Sequence, residues 1–380
     1  TPKPSAGAAD VYKRQLYDLV EKISESSPLE QLGQFDDDGK QFADEIQHYV
    51  KERVKLVASG SWSGKQMSES DIIDLAESMI PEHQHFDPQL FTEMSALSEG
   101  ANISIAEAII VGGFTDFVDT VRSATGGVTP PELHEDDCTA VLVPNSRANG
   151  EGFLAQTWDM HDTATDHVLL LRAKPDECPS ALIFTTTGCL GQIGMNSQGV
   201  AVGINNLTSS TGKVGVVWPS VVRSMLRQES SKDARSVLSK ANLAGAHNYL
   251  IMDKQGDGFN VEAMPDAQTV TRLESAPIVH TNHAVSPEAQ AEEAERPADL
   301  HANSTLRLSR GNELLMSGEI GLERLIKLTQ DNEAICRVPE PPHRIESSGA
   351  AIMRPATGEF WACWGQPSHN DYELIRWKNG

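Results

Sequence analysis

The chain has 380 residues, 39% of them hydrophobic and 22% charged, a composition that suits a globular protein with a sizeable core in one large domain or two modest ones. Fifty-four acidic side chains against 31 basic ones leave a formal charge of −23, which repels phosphate backbones and excludes nucleic acid as an expected partner. No apolar run approaches the roughly 18–20 residues that span a bilayer, so no membrane partner is expected either.

Residues 1–14 read as a loose tail without the apolar core of a signal peptide, so nothing points to export and a cytoplasmic location is expected. The first third then reads as helical. Leu16, Leu19, Val20 and Ile23 fall at helical spacing, as do Ile72, Ile73, Leu75, Met79 and Ile80, with Pro81 predicted to stop the run. A further helix is predicted from Ser104, whose Ser-Ile-Ala-Glu is a capping-box pattern, through Ile109, Ile110 and Phe114 to Val121. Residues 123–137 carry the Gly, Pro and charge of an exposed connector.

From Thr139 the texture is β. Strands are predicted at Thr139–Val143, Gly152–Met160, His167–Arg172, Ala181–Thr187 and Val200–Leu207, the last entered by an Asn196–Gly199 turn. Helices follow at Pro219–Gln228 and Asp233–Ala241. Tyr249–Asp253 and Phe259–Ala263 form a hairpin about residues 254–258. Helices at Ser304–Met316 and Leu322–Leu328 precede strands at Ala350–Met353, Glu359–Trp364 and Tyr372–Trp377. Antiparallel strands with helices in groups argue for an α+β fold, its sheets covered by helices.

The acidic surplus is read as a solvated surface, with a cationic or amine-bearing substrate as the sharper alternative. The five cysteines are odd in number and fit no zinc spacing. Cys189, Cys336 and Cys363 sit in apolar or strand-like contexts and read as buried hydrophobes, and a reducing compartment is inferred. Cys138 differs, because it stands where a flexible acidic connector enters a strand. If the bond Asp137–Cys138 were cut, Cys138 would carry an α-amine beside its thiol. An α-amine titrates near 8 and acts as a base at neutral pH without a histidine. The same thiol can attack the preceding carbonyl and make the cut itself.

His280-Thr281-Asn282-His283 follows the apolar pair Ile278-Val279 and is placed at a strand end. Two histidines three apart in a strand point to opposite faces and no third ligand is evident, so no metal is expected. Asn282 reads equally as an oxyanion donor or as a turn former. Asp159, in Thr157-Trp158-Asp159-Met160, is locally a cap or a turn acid.

Several motifs together carry a resemblance. Asp137-Cys138-Thr139-Ala140, then Pro144-Asn145 and Gln156-Thr157-Trp158-Asp159, then residues 184–202 (Thr186-Thr187-Gly188-Cys189-Leu190-Gly191-Gln192 at their centre), Val279-His280-Thr281-Asn282-His283 and Ile335-Cys336-Arg337 follow in order. In them the sequence resembles the acyl-CoA:6-aminopenicillanic acid acyltransferase (isopenicillin-N acyltransferase) family of N-terminal nucleophile hydrolases. The resemblance covers residues 136–377 and is thin before them. It implies a four-layer αββα sandwich with a mainly helical N-terminal segment, made as a precursor that cuts itself before Cys138. Residues 1–137 and 138–380 would remain together as two chains, with higher oligomers left open.

By position in those motifs, Cys138 would attack an amide or thioester carbonyl while its α-amine shuttles the proton. Asp159 would orient that amine, Asn282 would face the oxyanion or the substrate, and Asn205 would match an oxyanion-hole asparagine of bile-salt and penicillin V hydrolases. Gln156, Trp158, His280 and His283 are the candidate substrate contacts, and Asp137–Cys138 the cleavage site. No cofactor is implied.

Two departures from the family pattern bear on function. Asp137 stands where the acyltransferase has Gly, which restricts the backbone and is expected to slow self-cleavage unless its carboxylate assists the acyl shift. Ser347-Ser348-Gly349 replaces Ser-Arg-Gly, removing a candidate anion-binding group and disfavouring penicillin-type or CoA substrates. The expected activity is therefore hydrolysis of a small N-acyl amide, with acyl transfer from a thioester or amide to an amine as the alternative. A non-catalytic binding module is the reading from another class, and joint retention of Cys138, Asp159, Asn205 and Asn282 argues against it.

Overall fold

The structure, a computed structural model, describes residues 20–22, 33–34, 40–127, 137–175, 177–341 and 344–377. Two short strands come first, β1 (Val20–Lys22) and β2 (Gly33–Gln34). Val20 thus lies in a strand and not in the helix its spacing predicts, because its backbone pairs with Leu171, far along the chain. Leu16, Leu19 and Ile23 lie outside the described residues.

Five helices follow: α1 (Lys40–Ser59), α2 (Glu69–Phe86), α3 (Pro88–Ala101), α4 (Ile105–Gly112) and α5 (Phe114–Thr125). α1 and α3 lie outside the predicted helices. Pro81 does not stop α2, which runs on to Phe86. Proline there removes one helical donor, but Ile72, Ala76, Met79 and His83 form one buried face that holds both sides of it. The Ser104 capping box forms, with Ser104 Oγ accepting from Glu107 N and Glu107 Oε2 accepting from Ser104 N. The pattern from Ser104 to Val121 is nevertheless two helices. They break at Gly113, where a β-carbon would come within 2.2 Å of Val217 Cβ. Of the predicted connector, residues 128–136 lie outside the described residues.

The rest of the chain is β3 (Asp137–Val143), β4 (Phe153–His161), β5 (Val168–Ala173), β6 (Ala181–Thr186), β7 (Ile193–Asn196), β8 (Ala201–Leu207), α6 (Trp218–Met225) and α7 (Ser231–Leu238). There follow β9 (Ala246–Met252), β10 (Gly258–Ala263), β11 (Gln268–Arg272), β12 (Ile278–His280), α8 (Pro287–Gln290), α9 (Ala298–Leu315), α10 (Leu322–Thr329), β13 (Ile345–Arg354), β14 (Glu359–Trp364) and β15 (Glu373–Ile375).

The strands form two antiparallel sheets, a larger one ordered β11-β10-β9-β8-β7-β6-β5-β1-β2 and a smaller one ordered β12-β3-β4-β13-β14-β15. The sheets pack face to face, with β3 and β4 against β8 and β9. α1–α7 share a core with the outer side of the larger sheet, and α9 and α10 cover the smaller one, giving four layers in the order α, β, β, α. Alternation decides which side chains enter the middle: Cys138, Ala140 and Leu142 join the main core, whereas Val141 and Val143 face α9 and α10. No single helix among the described residues is long and apolar enough to cross a membrane.

Candidate active site

Cys138 is the second residue of β3 and is wholly buried. On one flank β4 sets Trp158 opposite Cys138 and Asp159 opposite Asp137; on the other, β12 sets His280 opposite Ala140. Cross-strand partners share a face of the sheet. The thiol therefore enters the layer between the sheets beside Trp158, while the carboxylates of Asp137 and Asp159 lie together on the side facing α9.

The peptide groups of Cys138 are held at both ends. Its N–H donates to Asn282 Oδ1 at 2.6 Å, although 144 residues separate the two in sequence. Its carbonyl accepts from Asn205 Nδ2 at 3.2 Å and from Arg307 Nη1 at 2.6 Å. Asn282 is fixed in turn: its N–H donates to Ser304 Oγ at 2.8 Å and its Nδ2 to the Asn206 carbonyl at 3.1 Å. Asn248 Nδ2 donates to Asn205 Oδ1 at 3.2 Å and to Asn260 Oδ1 at 2.8 Å. Asparagines on β10, β9 and β8 thus run in a row toward the Cys138 carbonyl, leaving few rotamers open to the last of them.

Charge is concentrated on the α9 side. The wholly buried Asp137 carboxylate meets Arg307 at 3.0 Å and Arg296 at 3.4 Å through Oδ1, and Arg337 at 2.5 Å through Oδ2. Burial pushes its pKa up, but the three guanidinium groups outweigh burial and hold it below the ordinary carboxylate value. Arg307 also donates to Thr139 Oγ1 at 3.3 Å, to Asn282 Oδ1 at 3.2 Å and, through Nε, to Asn303 Oδ1 at 2.8 Å.

Asp159 shows the opposite balance. Burial dominates and raises its pKa from 3.8 to about 6, against the pull of Arg307, the Ser347 hydroxyl and Arg337 and with a further push from Asp137. Ser347 Oγ donates to Oδ1 at 2.6 Å, while Oδ2 has no hydrogen-bond partner among the described residues. A carboxyl whose folded pKa is raised stabilises the fold while protonated. That contribution is fully present below the unfolded value near 4 and is lost as pH rises through about 6. The shift corresponds to about 2–3 kcal/mol. Denaturant titrations should therefore show wild type losing about that much stability between pH 4 and 7 relative to Asp159→Asn; parallel pH curves for the two proteins would contradict the assignment.

The structure puts the other candidate residues on the scaffold around this centre. Gln156 Nε2 donates to the Ile204 carbonyl at 2.5 Å and its Oε1 accepts from Ile204 N at 2.8 Å, so its amide ties β4 to β8. Gly203 makes room for it, since a β-carbon there would lie 2.7 Å from Gln156 Oε1. The Trp158 indole N–H is buried without a partner among the described residues. His280 bridges Glu262 Oε1 at 2.9 Å and the Thr281 carbonyl at 2.8 Å. Burial pushes Glu262 up, but His280 and the N–H groups of Ser286 and Val285 prevail and hold it at about 2. His283 is partly buried, lies 2.8 Å from Ser304 Oγ, and is lowered to about 4 by burial and by His280, His301, Arg296 and Arg307. It is therefore neutral at physiological pH. Among the described residues no group of three or more His, Cys, Asp or Glu is placed to hold a metal.

Sequence reasoning missed Arg307, Arg296, Asn248 and Ser304. Arg307 left one signal: Leu300, Ser304, Arg307, Gly311 and Leu315 form the buried row of α9, and a charged residue in the middle of such a row needs a buried partner.

The family model described as acyl-coenzyme A:6-aminopenicillanic acid acyl-transferase matches residues 146–369. That span starts beyond Cys138 and contains Asp159, Asn205, Asn282 and Arg307. The acyl-coenzyme A:6-aminopenicillanic-acid-acyltransferase 40 kDa form of Emericella nidulans is 24% identical over 259 residues, which cover 66% of this chain and 67% of that protein. Among solved structures, a variant of the conjugated bile acid hydrolase from Clostridium perfringens aligns over 63% of this chain and 97% of its own, with a TM-score of 0.44 and 11% identity. Penicillin V acylase from Agrobacterium tumefaciens aligns over 60% and 82%, with a TM-score of 0.37 and 13% identity.

Proposed function

The chain belongs to the acyl-coenzyme A:6-aminopenicillanic acid acyl-transferase family of N-terminal nucleophile enzymes, and from that premise we propose that it is a self-processing cysteine amidohydrolase acting on small N-acyl amides. The observation that carries this is the grip on Cys138, whose N–H is held by Asn282 and whose carbonyl is held by Asn205 and Arg307. A packing cysteine has no need of such control over its own peptide groups.

In the proposed maturation, Cys138 Sγ adds to the Asp137 carbonyl carbon, the C–N bond breaks, and the thioester is hydrolysed by water. The cut would free the Cys138 α-amine where Asn282 Oδ1 already accepts its N–H. The neighbouring Arg307 cation disfavours an ammonium there and keeps the amine available as a base. Asp159, with one open oxygen and a pKa of about 6, would orient the amine as its charge changes. The amine would then take the thiol proton, the thiolate would add to the substrate carbonyl, and the proton would leave on the departing amine. Water would release the acid. Residues 40–127 share their core with the larger sheet, which supports the two chains staying together after cleavage.

Acyl transfer is the second reading, favoured by the complete burial of Cys138, since a dry acyl-enzyme lives long enough to meet an amine. Kinetics on paired N-acyl amides and acyl thioesters, with and without an added amine, separate the two. Amide turnover releasing free acid in proportion is the expected result. Thioester turnover that needs the amine, with no amide turnover, would move the assignment to acyl transfer.

A further inference from the structure

We propose that Arg296, Arg307 and Arg337 form the acyl-group subsite, and that it selects acyl chains bearing a carboxylate two carbons beyond the scissile carbonyl, as in aspartyl or succinyl groups. The proposal rests on Cys138 being the nucleophile, and the reasoning is covalent. When Cys138 Sγ takes the Asp137 carbonyl from its own amide nitrogen, the thioester formed is an acyl-enzyme whose acyl group is residue 137. Whatever surrounds the Asp137 side chain therefore surrounds the substituent of an acyl group attached to Cys138.

That surrounding is built for one carboxylate. Arg307 and Arg296 take Oδ1, and Arg337 takes Oδ2. Asn303 Oδ1 accepts from Arg307 Nε at 2.8 Å and from Arg337 Nη1 at 2.9 Å, fixing two guanidinium planes about the same point. Arg307 is fully buried and the side chain of Arg296 nearly so. Once residue 137 is cut free and leaves, Asp159 remains near Arg307 and Arg337, and the contacts that Asp137 made to the three guanidinium groups are vacated. Buried cations left uncompensated are costly, so the vacated place favours another carboxylate of the same reach. A neutral acyl chain would replace none of the contacts that the Asp137 carboxylate makes to the three guanidinium groups. The serine at 348 does not strip the site of positive charge, because these arginines supply it from the loop before α9, from α9 itself and from the segment ahead of β13.

The reaction on such a substrate needs only water. The Cys138 sulfur bonds to the acyl carbon, the amide C–N bond breaks, and the amine departs with the thiol proton delivered through the α-amine. Water then cleaves the thioester to a dicarboxylate and restores the thiol.

The test compares N-succinyl, N-(methyl succinyl) and N-butanoyl 4-nitroanilides on the cleaved enzyme. It also compares protection of Cys138 from iodoacetamide by succinate and by butanoate, a readout that needs no turnover. Succinyl turnover should exceed the two neutral anilides by roughly tenfold or more in kcat/KM, the scale of one charge-assisted contact. Arg337→Gln should collapse that ratio, and succinate alone should protect. If the released tail keeps Asp137 in place, the preference emerges only in Asp137→Gly, whose tail has no side chain there, and that result also supports the subsite. Equal treatment of charged and neutral acyl groups in both wild type and Asp137→Gly overturns the subsite while leaving the nucleophile standing. A chain that never cleaves and turns over nothing removes the nucleophile and the subsite together.

Discussion

Replacing Cys138 by alanine is expected to leave one uncut chain and to lower amide turnover by at least ~10⁴-fold, the scale of removing an activated nucleophile. The loss should be this large because one residue would serve as cleaving thiol, nucleophile and, through its α-amine, base. No neighbour can substitute, since His280 is bound to Glu262 and His283 sits against Ser304. Intact mass spectrometry of the two proteins side by side is the measurement. Wild type should give two masses that sum to the chain plus water, with the larger beginning at Cys138; Cys138→Ala should give one. The variant should stay folded, because alanine fits a buried strand position and every backbone contact to Asn282, Asn205 and Arg307 survives. An active wild type that remains a single chain would sink the α-amine as base and leave a thiol in need of another partner.

Most of the β elements from Thr139 onward were legible because strands covered on both faces read as short apolar runs between turn residues, whereas β7 and β11 lie outside the predicted strands. Where packing overrides local pattern, legibility failed. Val20 joins the larger sheet through a distant partner, Pro81 rides inside a well-packed helix, and the apolar pattern from Ser104 breaks at Gly113, where Val217 leaves no room for a β-carbon. The candidate site divides in the same way. Cys138, Asp159, Asn205 and Asn282 stand in recognisable short motifs, and three of them touch one another's peptide or amide groups across the sheets. The charges that surround Asp137 have no motif. Three arginines from separate segments converge on it, and nothing in a local window says where a long cation will end. Ser348 places no cation at its own position, and the positive charge enters instead from Arg296, Arg307 and Arg337.

Arg307 is where stability and chemistry meet most directly. Arg307→Met should destabilise the uncut protein by about 3–5 kcal/mol, the cost of removing one partner of a buried ion pair. Asp137 would keep only Arg296 and Arg337, and the Cys138 carbonyl would lose the shorter of its two side-chain donors. The denaturant midpoint reads this loss. Removing Asp137 as well, in Arg307→Met with Asp137→Ala, should recover more than half of it, because a vacated pair costs less than a stranded charge. If the double variant is as unstable as the single one, Asp137 is not what Arg307 chiefly serves. A second consequence separates electrostatics from packing. Arg307 is the largest influence lowering the Asp159 pKa against burial, so its removal should carry that pKa above about 6 and move the pH at which the protonated acid stops stabilising the fold upward with it. Lysine at 307 should restore the pH midpoint more fully than the stability, since it returns the charge but cannot reach Asp137, Asn303 and the Cys138 carbonyl at once. A pH midpoint unmoved by Arg307→Met would mean that burial alone sets Asp159.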